Sequence, residues 1–402
     1  MSNIKCPQKN LNGLLASACV AFLGLIASAQ HIPAQSTATT AAFDSPDAFI
    51  PWDGGYAAIQ KKFSAENAPT TVTATTAASP AEKPAAAPPA PANAPSTLAA
   101  LAASQVINWS FNLDNLLRRM GELRLENLSV NNGGDLHYNG NLWTRAHATR
   151  LNASDALTGA AFHEYTYGAS LGADKILVQK RTHTALAGLM GDFSKTTRSF
   201  TNASTGSTQN AGAGLYLTLL AADGWFADLA GRYDSIKTKF TTPAAPADIS
   251  GSYTTSMETL SLEAGRVFKR ADGWWVEPSL HAAIAWAGSA ACAPAPGTRV
   301  ALASARDLQY RATLRFGRQP ASAHWLPYAK LAIAKIDTTG GAIDVTGASP
   351  LAPALDGVRA ELGLGTIYRI DEFNQLYLDY TCATALNYDS PWNANLGYRL
   401  LW

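Results

Sequence analysis

From residue 141 onward, apolar and polar residues alternate with a period of two, and no other feature limits the fold of this chain as strongly. In the segment DLQYRATLRF, Asp307 to Phe316, the even-numbered residues are apolar and the odd-numbered residues are polar. This is the period of a β-strand, whose successive side chains point to opposite faces. About twelve such segments follow one another, which predicts an all-β fold. Their predicted starting residues are Asn141, His163, Arg181, Gln209, Gly224, Tyr253, Trp274, Arg306, His324, Gly357, Gln375 and Trp392.

The connections between these segments distinguish a membrane barrel from a soluble sandwich. Short turns such as Ala221 to Gly224 and Lys269 to Gly273 alternate with long polar connections such as Gly288 to Ser304 and Asp337 to Asp356. Transmembrane barrels have tight periplasmic turns and longer outer loops, whereas a sandwich gives no reason for this alternation. After the N-terminus no run of about 18 apolar residues appears, so strands rather than helices would have to span the membrane. The sequence therefore predicts a twelve-stranded antiparallel transmembrane β-barrel over residues 141–402.

The last ten residues, NANLGYRLLW, have the pattern of a final strand. Leu396, Tyr398, Leu400 and Trp402 share one phase, so we expect them to face lipid as the C-terminal assembly strand, with the last tryptophan at the interface. Unpaired backbone groups in lipid cost several kcal/mol each, so this strand has to pair with the first one. Tryptophans near other strand ends predict interfacial girdles: Trp143, Trp225, Trp274, Trp275, Trp286, Trp325 and Trp392.

Three segments precede the barrel. Lys5 and Lys9, an apolar stretch and Ala27-Ser28-Ala29 predict a signal peptide over residues 1–29. Residues 30–107 are rich in Ala, Thr and Pro and are predicted to be a disordered short passenger and linker, with one aromatic island around Trp52. Removal of the signal peptide leaves Cys292 and Cys382, which form no disulfide framework.

A helix is predicted over residues 110–128. Ser110 is a plausible N-cap, and apolar residues recur at spacings of three and four from Leu113 to Leu123. The remaining faces are charged, which makes this helix a poor lipid-facing span. Charged residues on these faces include Arg118, Arg119, Glu122 and Arg124.

Charged residues in the polar phase of the strands are the other candidate site residues. They are expected to face the lumen and to balance one another there: Glu263, Glu277, Arg311, Arg315 and Arg359. Acid–base catalysis by the two glutamates is the alternative, and charge balance is favoured over it. The pattern GASLG, Gly168 to Gly172, matches a nucleophile elbow but lies inside a predicted strand rather than at a strand-to-helix turn.

Charge and histidine spacing argue against several other function classes. The seven histidines show no metal-ligand spacing, and the net charge of +1 gives no electrostatic reason to bind nucleic acid. No catalytic residue, cofactor or metal site is therefore predicted.

Several blocks of the sequence, in order, resemble the translocator β-domain of classical autotransporters, the pertactin-like, type Va branch of type V secretion. The resemblance covers residues 108–402 and depends on LLRRMGELRLE, NLWTRAHATR, YTYGASLGADK, DGWFADLAGRYD, LSLEAGRVFKRADGWWVEP and the terminal LGYRLLW. It implies an outer-membrane barrel with the N-terminal α-helix threaded through its lumen, so that Arg118, Arg119, Glu122 and Arg124 are the expected lumen-helix positions. It also implies insertion by the outer-membrane barrel assembly machinery reading the terminal strand, and export of the N-terminal passenger to the cell surface. We expect a monomer that contacts outer-membrane lipid.

The passenger is where the sequence departs from this family. Family passengers are commonly large, whereas residues 30–107 are short and read as disordered. Self-cleaving members use an asparagine pair within the linker helix, and Asn131-Asn132 lies beyond the predicted helix, so self-cleavage is not expected. The first hypothesis is a translocator that displays a short N-terminal segment. The alternative is a structural or pore-like outer-membrane barrel without cargo, whose N-terminal arm stays periplasmic; an outer-membrane hydrolase is a third, weaker hypothesis.

Overall fold

The computed structural model of the protein describes residues 94–130, 139–244, 248–319, 324–353 and 355–402, and within the helix no side chains at 94, 114–120 and 122–130. The predicted signal peptide and most of the predicted passenger lie outside these residues, and so do the side chains of Arg118, Arg119, Glu122 and Arg124.

Twelve antiparallel strands form a closed barrel, as the alternation predicted. Each strand is hydrogen-bonded to its neighbours in chain order. The strands are β1 (Gly140–Ala153), β2 (Phe162–Gln179), β3 (His183–Phe200), β4 (Thr205–Ala221), β5 (Trp225–Thr242), β6 (Ile249–Arg266), β7 (Trp274–Ala287), β8 (Ala305–Arg318), β9 (Trp325–Gly340), β10 (Gly357–Arg369), β11 (Asn374–Ala385) and β12 (Tyr388–Leu401).

The last strand closes the barrel against the first. β12 pairs with β1 from Asn141 opposite Leu401 to Ala153 opposite Tyr388, and on its other side it pairs with β11. Backbone hydrogen bonds beyond β12 join Asn139 N and Gly140 N to Trp402 O. The expected pairing of the terminal strand with the first one is thereby confirmed, and no barrel strand is left with a free edge in lipid.

Burial along the strands is the inverse of that in a soluble protein. Apolar side chains in one phase are exposed, with Leu215 68% and Leu280 64% accessible. Polar side chains in the other phase are buried, with Gln309 and Arg399 at 0%. An apolar outer face and a polar interior suit a wall between lipid and lumen, whereas in water the same outer face would expose a continuous apolar surface.

The described residues contain one α-helix, α1, which runs from Ala94 to Val130 and contains 37 residues. The predicted start at Ser110 was wrong, because Ser110 lies in mid-helix and its hydroxyl bonds to the barrel wall. The stretch before it is rich in alanine, the best helix former, and its Leu98, Leu101 and Ile107 are buried at 0–2% accessibility. In this stretch small apolar residues and short polar residues are spread around the circumference, so a helix enclosed on all sides shows no amphipathic period. Among the described residues, no helix is long and apolar enough to cross a membrane.

Two long connections fold back as a small sheet of three strands, here called the cap sheet. Its strands are Ala290–Ala295 and Thr298–Leu302 from the β7–β8 connection, and Ile343–Val345 from the β9–β10 connection. Not every outer connection is long: β3 and β4 extend further than expected, and only residues 201–204 separate them. Short and long connections therefore alternate less strictly than the sequence suggested.

Tryptophans near the strand ends divide between the two faces of the wall. Four tryptophans are about half exposed, as a girdle requires: Trp225, Trp274, Trp325 and Trp402. They lie at the end of the barrel where the short turns are found and where β12 ends. Trp143 and Trp275 are buried at 5% and 2%, so their prediction as girdle residues was wrong. Both lie in the inward phase, and Trp143 donates from Nε1 to the Tyr216 hydroxyl at 3.0 Å.

Arginine placed on the outward face of β12 tests the lipid contact. Leu396 is 56% exposed near the middle of the wall, and Leu400 faces the same way close to the end marked by Trp402. We expect Leu396→Arg to lower the free energy of unfolding in lipid vesicles by about 2–4 kcal/mol and Leu400→Arg by about 0–1 kcal/mol. Urea titration followed by tryptophan fluorescence measures both, and equal costs at the two positions would contradict a membrane midplane near Leu396.

Candidate functional site in the barrel lumen

Helix α1 passes through the barrel from the end that carries the long connections, the loop end, to the end that carries the short turns, the turn end. At the loop end Thr97 Oγ1 donates to Ser204 Oγ at 3.1 Å, and Asn202 Nδ2 donates to Thr97 Oγ1 at 3.1 Å. Near the turn end the backbone carbonyl of Gly121 accepts a hydrogen bond from Arg315 Nη2 at 3.0 Å. The described side chains between these points contact strands on several sides of the wall, so the helix fills the lumen.

A buried ion pair on β2 and β3 holds one face of the helix. Arg198 Nε pairs with Glu164 Oε2 at 2.5 Å, and both side chains are at most 1% exposed. Ser104 Oγ donates to the same carboxylate oxygen at 2.6 Å, and Asn108 Nδ2 donates to the other one at 2.9 Å. Residues four apart lie on one helix face, so one ion pair fixes a full turn of the helix. A carboxylate that accepts three donors is compensated for its burial.

The neighbouring helix face docks on β6. Gln105 Nε2 donates to Thr255 Oγ1 at 3.1 Å, and Trp109 Nε1 donates to Thr259 Oγ1 at 2.9 Å. The two threonines are four residues apart on the inward face of β6, and Gln105 and Trp109 are four residues apart on one face of the helix. The indole thus has both an apolar environment and a partner for its N–H, as a buried tryptophan requires.

A third contact region joins the helix to β8 and β10. Arg359 donates from Nη1 to Ser110 Oγ at 3.0 Å, and its guanidinium carbon lies 4.7 Å from the centre of the Phe111 ring. Ser110 Oγ also bonds to Gln309 Oε1. Arg359 is held in turn by Glu361, which also pairs with Arg311 at 2.6 Å.

Near the turn end an arginine joins the wall to the helix backbone. Arg315 pairs with Glu277 at 2.7 Å, and the Glu277 side chain is 1% exposed. The guanidinium carbon lies 5.8 Å from the centre of the Trp275 ring and 5.6 Å from that of Tyr328, within cation–π range. The inward position of Trp275, which the sequence analysis placed in a girdle, is therefore part of this arginine site.

The predicted lumen-facing residues occupy the inner face of the wall, but they do not act as one cluster. Glu277 and Arg315 pair with each other, whereas Arg311 and Arg359 meet at Glu361, a residue that was not selected. Glu263 lies on β6 opposite His281, which lies opposite Arg311 on β8. The two glutamates therefore take different neighbours, and no paired carboxylates for acid–base chemistry are formed by them.

The sequence analysis missed several residues of the site. Glu164 and Arg198 lie in the polar phase of β2 and β3, as the selected residues do in their strands. The alternation of these two strands could therefore have predicted that both face the lumen. Ser104 and Asn108 were missed because the predicted helix started at residue 110, beyond both of them. GASLG lies inside β2, as expected, and not at an elbow.

Little open volume is left beside the helix where side chains are described. One cavity bordered by Gln105, Asn108 and Trp109 measures about 30 Å³, room for about two waters. In the described part of the chain, no group of three or more His, Cys, Asp and Glu side chains is arranged to hold a metal ion.

Comparison with known protein families gives a match over most of the barrel. Residues 142–381, more than half of the chain, match the family model described as autotransporter beta-domain. The pertactin autotransporter of Bordetella parapertussis is 30% identical over 298 residues, which cover 73% of this chain and 31% of that protein. The BrkA autotransporter of Bordetella pertussis is 26% identical over 308 residues. The chain thus spans about a third of the length of the curated relatives it matches.

Solved structures agree in fold. The β-domain of the Bordetella autotransporter BrkA aligns with a TM-score of 0.56 at 22% identity, covering 65% of this chain and 99% of that domain. The translocator domain of NalP from Neisseria meningitidis aligns with a TM-score of 0.55 at 17% identity, covering 73% of this chain and 98% of that domain. At these identities the alignments establish the fold alone.

Breaking one buried ion pair tests the energetics of the lumen. Arg315→Met leaves the Glu277 carboxylate buried without its guanidinium, and we expect it to lower the free energy of unfolding by about 3–5 kcal/mol. The double variant Arg315→Met with Glu277→Leu removes both charges and should recover most of that loss. The matched control is Arg270→Met, which breaks the exposed Arg270–Asp272 pair and should cost less than about 1 kcal/mol. A double variant no more stable than the single one would contradict this account.

Truncation of Asn108 tests the docking of the helix. Asn108→Ala removes a donor to the buried Glu164 carboxylate and should cost about 1.5–3 kcal/mol in urea unfolding. Asn112→Ala, one turn further along the same helix, is the control, because Asn112 makes no hydrogen bond among the described residues. Limited proteolysis should likewise cut the Asn108 variant faster. Equal behaviour of the two variants would mean that the Glu164–Arg198 pair does not anchor the helix.

Proposed function

Since this chain belongs to the autotransporter β-domain family, we propose that it is a translocator that exports or displays its own short N-terminal segment at the cell surface. The barrel lies in the outer membrane, and its lipid contacts are made by the apolar outward phase of the strands. Because the chain spans only about a third of its curated relatives, the activity of their remaining parts is not transferred to it.

The direction of helix α1 carries this proposal. In outer-membrane barrels the short turns face the periplasm and the longer loops face outward. Thr97 lies against the β3–β4 connection at the loop end, and the helix leads toward β1, whose first residue pairs with the C-terminal end of β12 at the turn end. The N-terminal end of the described helix therefore lies at the outer mouth of the lumen, which is the position that an exported or displayed N-terminal segment requires.

The polar lining of the lumen suits the passage of a chain. Threonine and serine hydroxyls such as those of Thr196, Thr238 and Ser261 cover much of the inner wall and offer weak, interchangeable hydrogen bonds. Such a surface holds no particular segment strongly. The final helix is different, because its side chains make hydrogen bonds to two of the buried ion pairs of the wall, those of Glu164 and Glu361. We infer that these matched contacts stop the chain and close the lumen.

The N-terminal boundaries complete the proposal. We propose that residues 1–29 are a signal peptide and that residues from about 30 up to the helix are the displayed segment, with the aromatic island around Trp52 as its binding element. We propose further that the barrel is monomeric and is inserted by the outer-membrane assembly machinery. Support for this comes from the outward row Leu396, Tyr398, Leu400 and Trp402 on β12 and from the pairing of every barrel strand on both sides.

The alternative function is a structural barrel without cargo. The helix in the lumen is compatible with this alternative, because a lumen filled by a helix is expected both for a permanently plugged barrel and for a translocator that has finished export. A pore-like role would need an open path past the helix, and the two cavities that line its described residues from Gln105 to Leu113, of about 10 and 30 Å³, do not provide one there. We propose no catalytic role for the barrel.

The location of the N-terminal segment distinguishes the two functions. We expect an epitope tag beside Trp52 to be labelled by antibody on intact cells to at least about half of the signal from permeabilised cells. A periplasmic protein carrying the same tag is the control for leakage. A folded, heat-modifiable barrel whose tag becomes visible only after permeabilisation would establish the periplasmic arm and overturn the translocator.

A further inference from the structure

Three lysines face outward near the loop end of β3 and β5. Lys195 lies opposite Gln209 of β4, and Gln209 lies opposite Lys237 of β5. The side chains of Lys195, Gln209 and Lys237 therefore form one row across three strands. Lys239 faces the same way one outward position further on. All three lysines are exposed, and they project from the lipid side of the wall rather than into the lumen.

This row lies at the height of lipid headgroups. Trp225 begins β5 in the turn-end girdle, and Lys237 follows it on the same strand and face. At about 3.3 Å per residue and a strand tilt of about 40°, Lys237 is roughly 30 Å above Trp225, the thickness of the hydrocarbon core. Phe193 and Tyr233, both 53% exposed, lie below the lysines as the outer aromatic belt.

Hydroxyl groups surround the lysines on the outward face, and the carboxylate of Glu258 on the outward face of β6 lies opposite Tyr233, two outward positions below the row of Lys237. Tyr167 and Thr254 flank the lysine row, and Thr197, Ser207 and Ser252 lie in the next row toward the loop end. Within the part of the chain that the structure describes, none of the three lysines has a carboxylate within ion-pair distance.

The other side of the barrel differs at a similar height. Lys335 of β9 also faces outward, but its Nζ lies 2.8 Å from Asp337. The charge of Lys335 is balanced within the protein, whereas the charges of Lys195, Lys237 and Lys239 are left for an external anion. Lysine binds phosphate as a point charge, and hydroxyls beside it complete the coordination of the phosphate oxygens.

We propose that Lys195, Lys237 and Lys239 form a binding site for the phosphate groups of a phosphorylated glycolipid of the lipid A type in the outer leaflet. The geometry selects a lipid, because the aromatic belt directly below the lysines places the acyl chains against the apolar wall. The site requires only that the barrel lies in the outer membrane with its loop end outward, and it is independent of whether the N-terminal segment is exported.

The test measures lipid binding to the full chain, folded in a zwitterionic detergent. The probe is diphosphorylated lipid A, with chemically dephosphorylated lipid A as the reference ligand and native mass spectrometry as the readout. The unmodified protein should bind the phosphorylated form at least about tenfold more tightly. Lys195→Gln, Lys237→Gln and Lys239→Gln together should weaken that binding by roughly a hundredfold, at about fivefold per cation near an anionic surface.

Two further variants separate charge from fold. Arginine at the same three positions keeps the charge and should retain binding within about threefold, while Lys335→Gln should leave it unchanged within about twofold. Heat-modified migration on gels confirms that each variant is folded. The proposal would be overturned if the affinity for lipid A were unchanged by the triple glutamine substitution or by removal of the phosphates. Equal affinity for phosphatidylglycerol would replace the glycolipid with a general anionic surface and overturn it as well.

Discussion

Backbone hydrogen bonding in a medium without water is the constraint on which the rest of this structure depends. Each unpaired N–H or C=O in hydrocarbon costs several kcal/mol, so a wall of strands is stable there only when it closes on itself. The pairing of β12 with β1 supplies that closure, and it leaves every barrel strand with two neighbours. Once the wall is closed, its two faces are fixed by the pleat, and a shift of one residue in the register of a strand would turn the charged lumen residues of that strand toward lipid.

The closed wall creates a second problem, which the helix solves. Inward-facing charges such as Glu164, Glu277 and Glu361 are removed from bulk water and need partners. The wall provides arginines for all three, and the helix supplies further donors at Ser104 and Asn108. Helix α1 is therefore the polar core of the barrel, and it takes the place that an apolar core has in a soluble domain. Its mixed apolar and polar surface follows from the wall that surrounds it.

Much of this architecture was predictable because period-two alternation is a local property. The twelve strands, the pairing of the first and last, and the outward phase of Leu396 follow from it directly. The beginning of the helix did not, since Thr97 to Ile107 is buried on all sides and so lacks the amphipathic period that marks a surface helix. Trp143 and Trp275 were misplaced because a tryptophan near a strand end looks the same in sequence whichever face it occupies. Which arginine meets which glutamate depends on strand shear, and no local pattern encodes that.

The cap sheet has a consequence for the order of events during assembly. Its Val300 and Ile343 are buried against a lining that includes Leu98 of the helix, and Leu302 lies beside Ala102 and Val106. Without the helix in the lumen, these two connections would lose the apolar side chains of Leu98, Ala102 and Val106 that they cover. We therefore expect the cap sheet to form last, after the chain has come to rest. Once the cap sheet has folded, the helix can slide back out of the lumen only after the sheet unfolds. The folded sheet therefore keeps the helix in place without any external source of energy.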